Sequence, residues 1–469
     1  MAIGSGAIWR VRVGGNDANG AAFDPTIAGA GADYSQQDAP QAADTGSINC
    51  SNNTTVTTAG SAIWNSTHIG NAMRITGGGA TAGYYFITGI NSGTSVVVDR
   101  SPGSVAGGSM KLGGAAASPR MLKDSNAAGD KVVFGNTVYV RGSGSDYPTS
   151  DDYTLTGTTT WPGSVATGRV KVIGENGRPR LNVDGYAFNM GSGFMSGLFF
   201  IARNNLPGSG NGIVNIGGTG AVVNCVFNTN GQSALFGIRG SNSVVIYGCE
   251  ITGGMATPTL SASCYGIQLD SYGPAVIACR VHHCRNAGIL SLYHCTVTDC
   301  LVYKNAAEGI YLAANNLSHG EVARNTIDAN ASHGILINPN IFDCNVHSNI
   351  ISNHTIAGKS GIYLTATTAE NEQNRNLFDY NAFYNNTAHI TGLALGANDV
   401  AGLDPQYTDA ANGDYTLGQA LLKQSGWPRS WLGYAQPLTY YDRGAVQLAG
   451  SSDGGLVIPV RRSGVHLRM

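Results

Sequence analysis

Seven side chains between residues 282 and 328 have the types and the proximity in sequence to do chemistry. Asp299, Glu308 and Asp328 are the candidate catalytic carboxyls, and His282, Tyr303, Lys304 and Arg324 are the candidate ligand-binding groups. Two carboxyl groups held across one sugar linkage hydrolyse it, whereas an Arg or Lys base beside a bound cation eliminates across a uronate. Neither set converges in the linear sequence. A chain repeat in the mid-twenties would bring Asp299 beside Arg324. It would also stack His282, Tyr303 and Asp328 into one column on an outer surface, with Lys304 and Glu308 close by. Such a column is a sugar-binding strip, a weak acid/base site, or the solvated face of three coils. In the last case an exposed Asp299–Arg324 pair contributes at most about 1 kcal/mol, and this plainer reading is preferred.

No metal site or cofactor is expected. His282, His283, His294, His319, His333, His347, His354 and His389 fall at differing positions of the repeat described below and read as scattered surface residues. Of the nine cysteines, eight lie between Cys225 and Cys344, and none shows the Cys-x-x-Cys spacing of a zinc ribbon. Cys279/Cys284 and Cys295/Cys300 are each five apart. Reduced, buried thiols are expected, since an odd count clustered in this way is not a compact disulfide scaffold.

The elements that would position these groups are written in a repeat. Glycine numbers 66 and asparagine 40 of 469 residues, and charged residues are only 12%, so turns are frequent and charge is sparse. A hydrophobic share of 42% still supports a sizeable core, and a net charge of −2 argues against a nucleic-acid partner. The longest apolar run, Phe194 to Ala202, is too short to span a bilayer, so no membrane insertion is expected. The motif Gly-Ile recurs at Gly212, Gly237, Gly266, Gly288, Gly309, Gly334 and Gly361, at intervals of 25, 29, 22, 21, 25 and 27 residues. Between these lies apolar-x-x-(Cys/Asn)-x-apolar, as in Val297-Thr298-Asp299-Cys300-Leu301-Val302 and Val322-Ala323-Arg324-Asn325-Thr326-Ile327.

Two or three short alternating strands per period, with no helical stretch between them, predict a right-handed parallel β-helix, an all-β solenoid in which each strand pairs with its equivalents one coil away. Inward positions then form ladders: Cys225, Cys249, Cys279 and Cys300 hand over to Asn325, Asn349 and Asn381, and a second ladder runs Asn230, Cys284, Asn305, Asn330 and Asn386. The expected organisation is a small N-terminal β domain over 1–112, a linker or helical cap over 113–130, the β-helix over 131–400, a C-terminal cap over 401–450 and a basic tail over 451–469. That tail carries Arg461, Arg462, His466 and Arg468.

Trp9-Arg10-Val11-Arg12, Gly14-Gly15-Asn16-Asp17-Ala18-Asn19-Gly20 and Tyr84-Tyr85-Phe86-Ile87 resemble the opening of bacteriophage and virome right-handed β-helix virion proteins. Asp404-Pro405-Gln406-Tyr407, Asn412-Gly413-Asp414-Tyr415-Thr416-Leu417 and Asp442-Arg443-Gly444-Ala445-Val446 are similar to the close of pectate-lyase-like β-helix proteins. The resemblance implies a virion structural protein, a tail or capsid appendage that contacts host surface glycans. It would be a homotrimer joined to other virion proteins through 1–112, assembled in the host cytoplasm and released by lysis. The absence of an export signal at the N-terminus fits that expectation. The alternative is a tailspike-type polysaccharide depolymerase, and the third reading is a secreted bacterial adhesin or lyase. Polygalacturonase-like hydrolases carry Asn-Thr-Asp, Asp-Asp, Gly-His-Gly and Arg-Ile-Lys in successive coils. Here the sole Asp-Asp, Asp151-Asp152, lies in an insertion, so efficient cleavage is not expected.

Overall fold

The computed structural model describes residues 6–119, 132, 135–145, 152–155, 159–161, 169–183, 187–204, 211–232, 235–255, 258, 264–313, 317–318, 320–339, 341–365, 376–423, 425 and 443–445. Most of the expected linker over 113–130, the aromatics Trp427, Trp431, Tyr440 and Tyr441, and the basic tail lie outside the described residues. The chain packs as two compact units, residues 1–228 and 229–469, and both are built on right-handed parallel β-helix coils.

In the first unit, six antiparallel strands between Ala42 and Leu112 close into a barrel. Alternation drives the closure. Ser95–Val98 buries Val96 and Val98, and Ala72–Thr76 buries Met73 and Ile75, so one face of every strand lines a core that includes Ile48, Trp64, Ile87 and Met110. Three parallel sheets follow. Their coils run through strands such as Lys171–Glu175 in the first sheet, Arg180–Val183 in the second and Phe188–Met190 in the third.

The boundary drawn at residue 112 assigns Ile8–Val11 to the N-terminal domain, but this strand lies in the solenoid. It pairs in parallel with Thr137–Arg141, setting Trp9 on Val138 and Val11 on Val140. Trp9 is fully buried and its Nε1–H donates to Asn136 Oδ1 at 3.1 Å. The inward alternation of Trp9 and Val11 continues the apolar column of the first coil. The Gly- and Asn-rich stretch that follows concealed this in the sequence.

In the second unit the three sheets recur coil after coil. The first sheet holds Ala275–Ile277, Thr296–Thr298, Glu321–Ala323, Asn345–His347 and Leu377–Asp379. The second holds Arg280–His282, Leu301–Tyr303, Thr326–Asp328, Ile350–Ser352 and Ala382–Tyr384. The third holds Ile267–Leu269, Ile289–Ser291, Ile310–Leu312, Ile335–Ile337 and Ser360–Leu364. Ile267, Ile289, Ile310, Ile335 and Ile362 stand in register, all fully buried.

Each bend between first and second sheets contains one residue in the left-handed region: Ala278, Asp299, Arg324, Ser348 and Tyr380, with φ between +55° and +59°. For residues other than glycine that conformation costs on the order of 1 kcal/mol each. The ladder beside it offsets the cost. Asn325 Nδ2 donates to Asn349 Oδ1 and Asn349 Nδ2 to Asn381 Oδ1, both at 3.0 Å, while the Cys300 and Asn325 backbone N–H groups donate to the Oδ1 one coil on. All nine cysteines are buried, and none forms a disulfide among the described residues. Burial pushes the thiols of Cys279, Cys284, Cys295 and Cys344 up, so they stay protonated.

The second ladder contains a rung missing from the sequence reading. Contrary to the expectation of a surface histidine, His354 is fully buried between Asn330 and Asn386, at 3.3 and 3.0 Å. His333 and His347 are buried as well. The register explains the correction, since a neutral imidazole has one donor and one acceptor and can substitute for a carboxamide in the column.

After Val400–Ala401, which pairs on Ala382–Tyr384, the chain turns back along the outside of the second sheet. The hairpin Tyr407–Asp409 and Asp414–Leu417 and the buried Leu422 cover that sheet. Arg443 closes the coil end by donating to the carbonyls of Asn381 at 2.6 Å and Asn398 at 2.9 Å.

Candidate functional site on the solenoid flanks

The expected pair at the bend between first and second sheets is present. Arg324 Nε and Nη2 donate to the two oxygens of Asp299, each at 2.9 Å. Glu321 joins them, 3.6 Å from His347 Nε2. The close approach of His347, with Arg324 behind it, holds the Glu321 carboxyl below its ordinary range. Opposite charges pair within this partly buried cluster, an arrangement suited to fixing a bend.

The expected column on the second sheet has the predicted register, with His282 on Tyr303 and Tyr303 on Asp328. The structure corrects its exposure. Tyr303 is 4% and Asp328 2% exposed, because the C-terminal hairpin lies over them. The Tyr303 ring stacks on His282 at 4.8 Å and meets Tyr415 at 4.9 Å. Asp328 accepts from Tyr415 Oη at 2.9 Å, Ser352 Oγ at 2.7 Å and Asn353 Nδ2 at 2.7 Å. Burial pushes the Asp328 carboxyl up while these donors pull it back. The Tyr303 hydroxyl is pushed up to about 12 by burial. Lys304 Nζ donates to the carbonyls of Ala410 and Ala411, at 3.4 and 3.0 Å, and Arg280 Nη2 donates to Gly413 at 2.6 Å. His282 Nε2 lies 3.2 Å from Glu250 and its Nδ1 2.7 Å from His283. Burial, reinforced by His282 and Lys304, lowers His283 to about 4.

The three candidate carboxyls therefore do not share one space. Asp299 sits at the bend between first and second sheets and Asp328 beneath the hairpin. Glu308 stands two residues before Ile310, on the approach to the third sheet, where it accepts from Ser332 Oγ at 2.9 Å. Glycoside hydrolysis needs two carboxyl groups about 5–10 Å apart on opposite sides of one sugar, and these three occupy separate flanks.

The third flank holds residues that the sequence reading passed over. From Gly266 onward the position after Gly-Ile forms a column of Gln268, Leu290, Tyr311, Leu336 and Tyr363 in register, in which Leu290 is buried. Tyr311, Leu336 and Tyr363 are partly exposed. Asn338 Nδ2 donates to the Tyr311 hydroxyl at 3.3 Å. The Tyr363 ring lies 4.4 Å from that of His333, whose Nδ1 accepts from the Ser360 N–H at 3.0 Å. Burial, then Lys359, lowers His333 to about 4, so the imidazole is neutral at pH 7. Glu308 and His333 occupy successive coils beside this column. Partly exposed tyrosines interleaved with a carboxylate, an amide and a neutral imidazole can stack on apolar ring faces and hydrogen-bond hydroxyl groups. The signal was present in the motif, whose variable position is the one that faces outward.

The sequence matches the family described as right handed beta helix region over residues 193–338 and 264–400. No curated protein matches it. Similar solved structures include a pectate lyase, at 12% identity over 71% of this chain and 92% of that one, with a TM-score of 0.46. The Dettilon tailspike protein is 14% identical over 58% of this chain and 63% of its own, with a TM-score of 0.36. The Azotobacter vinelandii mannuronan C-5 epimerase A-module is 14% identical over 57% and 89%, with a TM-score of 0.30.

Proposed function

We propose that this right-handed β-helix chain is a structural protein of a bacteriophage particle, a tail or capsid appendage whose third-sheet flank contacts host surface glycans. The observation that carries the glycan contact is the outward column of Tyr311, Leu336 and Tyr363 with Glu308 and His333 alongside. Strand-borne side chains at a fixed spacing of about 4.8 Å make a rigid strip, which suits an extended chain of rings. The virion assignment is supported by the sequence resemblance. Self-association into a homotrimer and attachment through the region 1–112 belong to the same proposal. Light scattering tests the trimer, and a stable monomer at micromolar concentration removes it.

The depolymerase reading draws on Glu308 and His333 in successive coils of the same flank. Incubating the purified protein with capsule and lipopolysaccharide separates the two readings. Retention on glycan without new reducing ends, weakened by Tyr311→Ala and Tyr363→Ala, is the expected result. Turnover abolished by Glu308→Gln would establish the depolymerase instead.

A further inference from the structure

At the bend from the third sheet back to the first, Asp270 follows the strand Ile267–Leu269, and its backbone N–H donates to Gly240 at 2.9 Å. Its Oδ1 accepts from Gln268 Nε2 at 2.5 Å, and its Oδ2 accepts from Arg239 Nε, paired across the register with Gln268. Two residues on, Tyr272 is 59% exposed. Its ring is nevertheless fixed, with centroids 4.6 Å from Tyr293 and 4.9 Å from His294. The Gly273 N–H donates to His294 at 3.2 Å, which ties the turn to the next coil. The Nδ1 of His294 is buried and has no hydrogen-bond partner among the described residues.

We propose that the Tyr272 ring with the Asp270–Arg239–Gln268 fork is a binding subsite for one neutral pyranose unit of a glycan. The inference rests on the glycan-contact reading and names the class of sugar and a second place of contact. An exposed tyrosine held by two neighbouring rings is preorganised, so little freedom is lost on stacking. A pyranose offers one face of C–H groups to such a ring. Its vicinal hydroxyls match a carboxylate and a guanidinium, the first accepting and the second donating. The size of the patch selects the occupant. One tyrosine face presents on the order of 100 Å², far below the roughly 800 Å² per partner of a stable protein interface. Charge selects the sugar class, because Arg239 is already neutralised by Asp270 and the fork as a whole has no net charge to match a uronate.

The test screens the full chain on an array of neutral hexose oligosaccharides and oligogalacturonates, then titrates the strongest binder by calorimetry. The expected result is a neutral oligosaccharide whose affinity falls at least about tenfold in Tyr272→Ala, recovers in Tyr272→Trp, and changes with no shift in melting temperature. Unchanged affinity in Tyr272→Ala overturns the subsite. If Tyr311→Ala and Tyr363→Ala still weaken binding in that case, the glycan-contact reading stands without it. Preference for oligogalacturonate that depends on Tyr272 overturns the neutral-sugar assignment. Absence of binding to any saccharide on the array overturns both readings together.

Discussion

The outer flanks of the second and third sheets of the C-terminal unit are products of the same repeat, yet they use their side chains in opposite ways. The second flank carries His282, Tyr303, Lys304 and Asp328, and the C-terminal hairpin covers them: Asp328 holds Tyr415, Lys304 holds the carbonyls of Ala410 and Ala411, and Tyr303 lies under Tyr415. On the third flank Tyr311, Leu336 and Tyr363 remain partly exposed. A dense set of titratable residues in a solenoid can therefore be the anchor of a covering segment. Buried polar groups need partners, and here the cover supplies them. The glycan contact proposed above uses the flank whose aromatic residues are left in contact with water.

Both flanks depend on the inward columns beneath them, so the largest effect is expected there. Ile289→Asp places a charge between Ile267 and Ile310 in a fully buried column. It should cost about 4 kcal/mol or more and abolish soluble expression. A soluble variant with an unchanged melting temperature would refute the register on which the comparison rests.

Next in size is the anchor of the second flank. Asp328→Ala leaves the hydroxyls of Tyr415 and Ser352 and the amide of Asn353 without their acceptor. A loss of about 2–4 kcal/mol is expected in calorimetry, with the hairpin becoming susceptible to proteolysis. Tyr363→Ala on the third flank should stay within about 1 kcal/mol of the parent. Equal losses at the two positions would erase the distinction between a covered and an open flank.

The last expected effect is a pH dependence at the bend that joins the two flanks. Burial lowers His354 from 6.5 to about 4, disfavouring its charged form. The unfolded chain then binds a proton that the folded chain does not, so the stabilisation is complete above pH 6.5 and is lost as pH falls toward 4. About 3 kcal/mol is at stake from this fully buried ring. His283 and His333 have the same sign. Asp328, whose pKa burial raises, has the opposite one. Denaturant melts of the parent and of His354→Asn, which restores a carboxamide to the ladder, should show a shallower acid slope in the variant. Identical slopes would remove His354 as the titrating rung.

The sequence alone determined the solenoid, because a β-helix writes one coil over and over. The Gly-Ile spacing, the Cys-to-Asn handover and the Asp299–Arg324 contact all follow from adding one period to a residue number, and the structure has each of them. Adding periods also aligned His282, Tyr303 and Asp328 correctly. It could not say whether water reaches them, since the covering hairpin comes from residues 407–417, outside the repeat and joined to Asp328 across 87 positions of chain. The same limit hid Trp9, which enters the first coil across 127 positions to Asn136. Register within a repeat is a local, periodic property that spacing reveals. Exposure is set by whichever distant segment packs on a flank, and only the folded chain decides that.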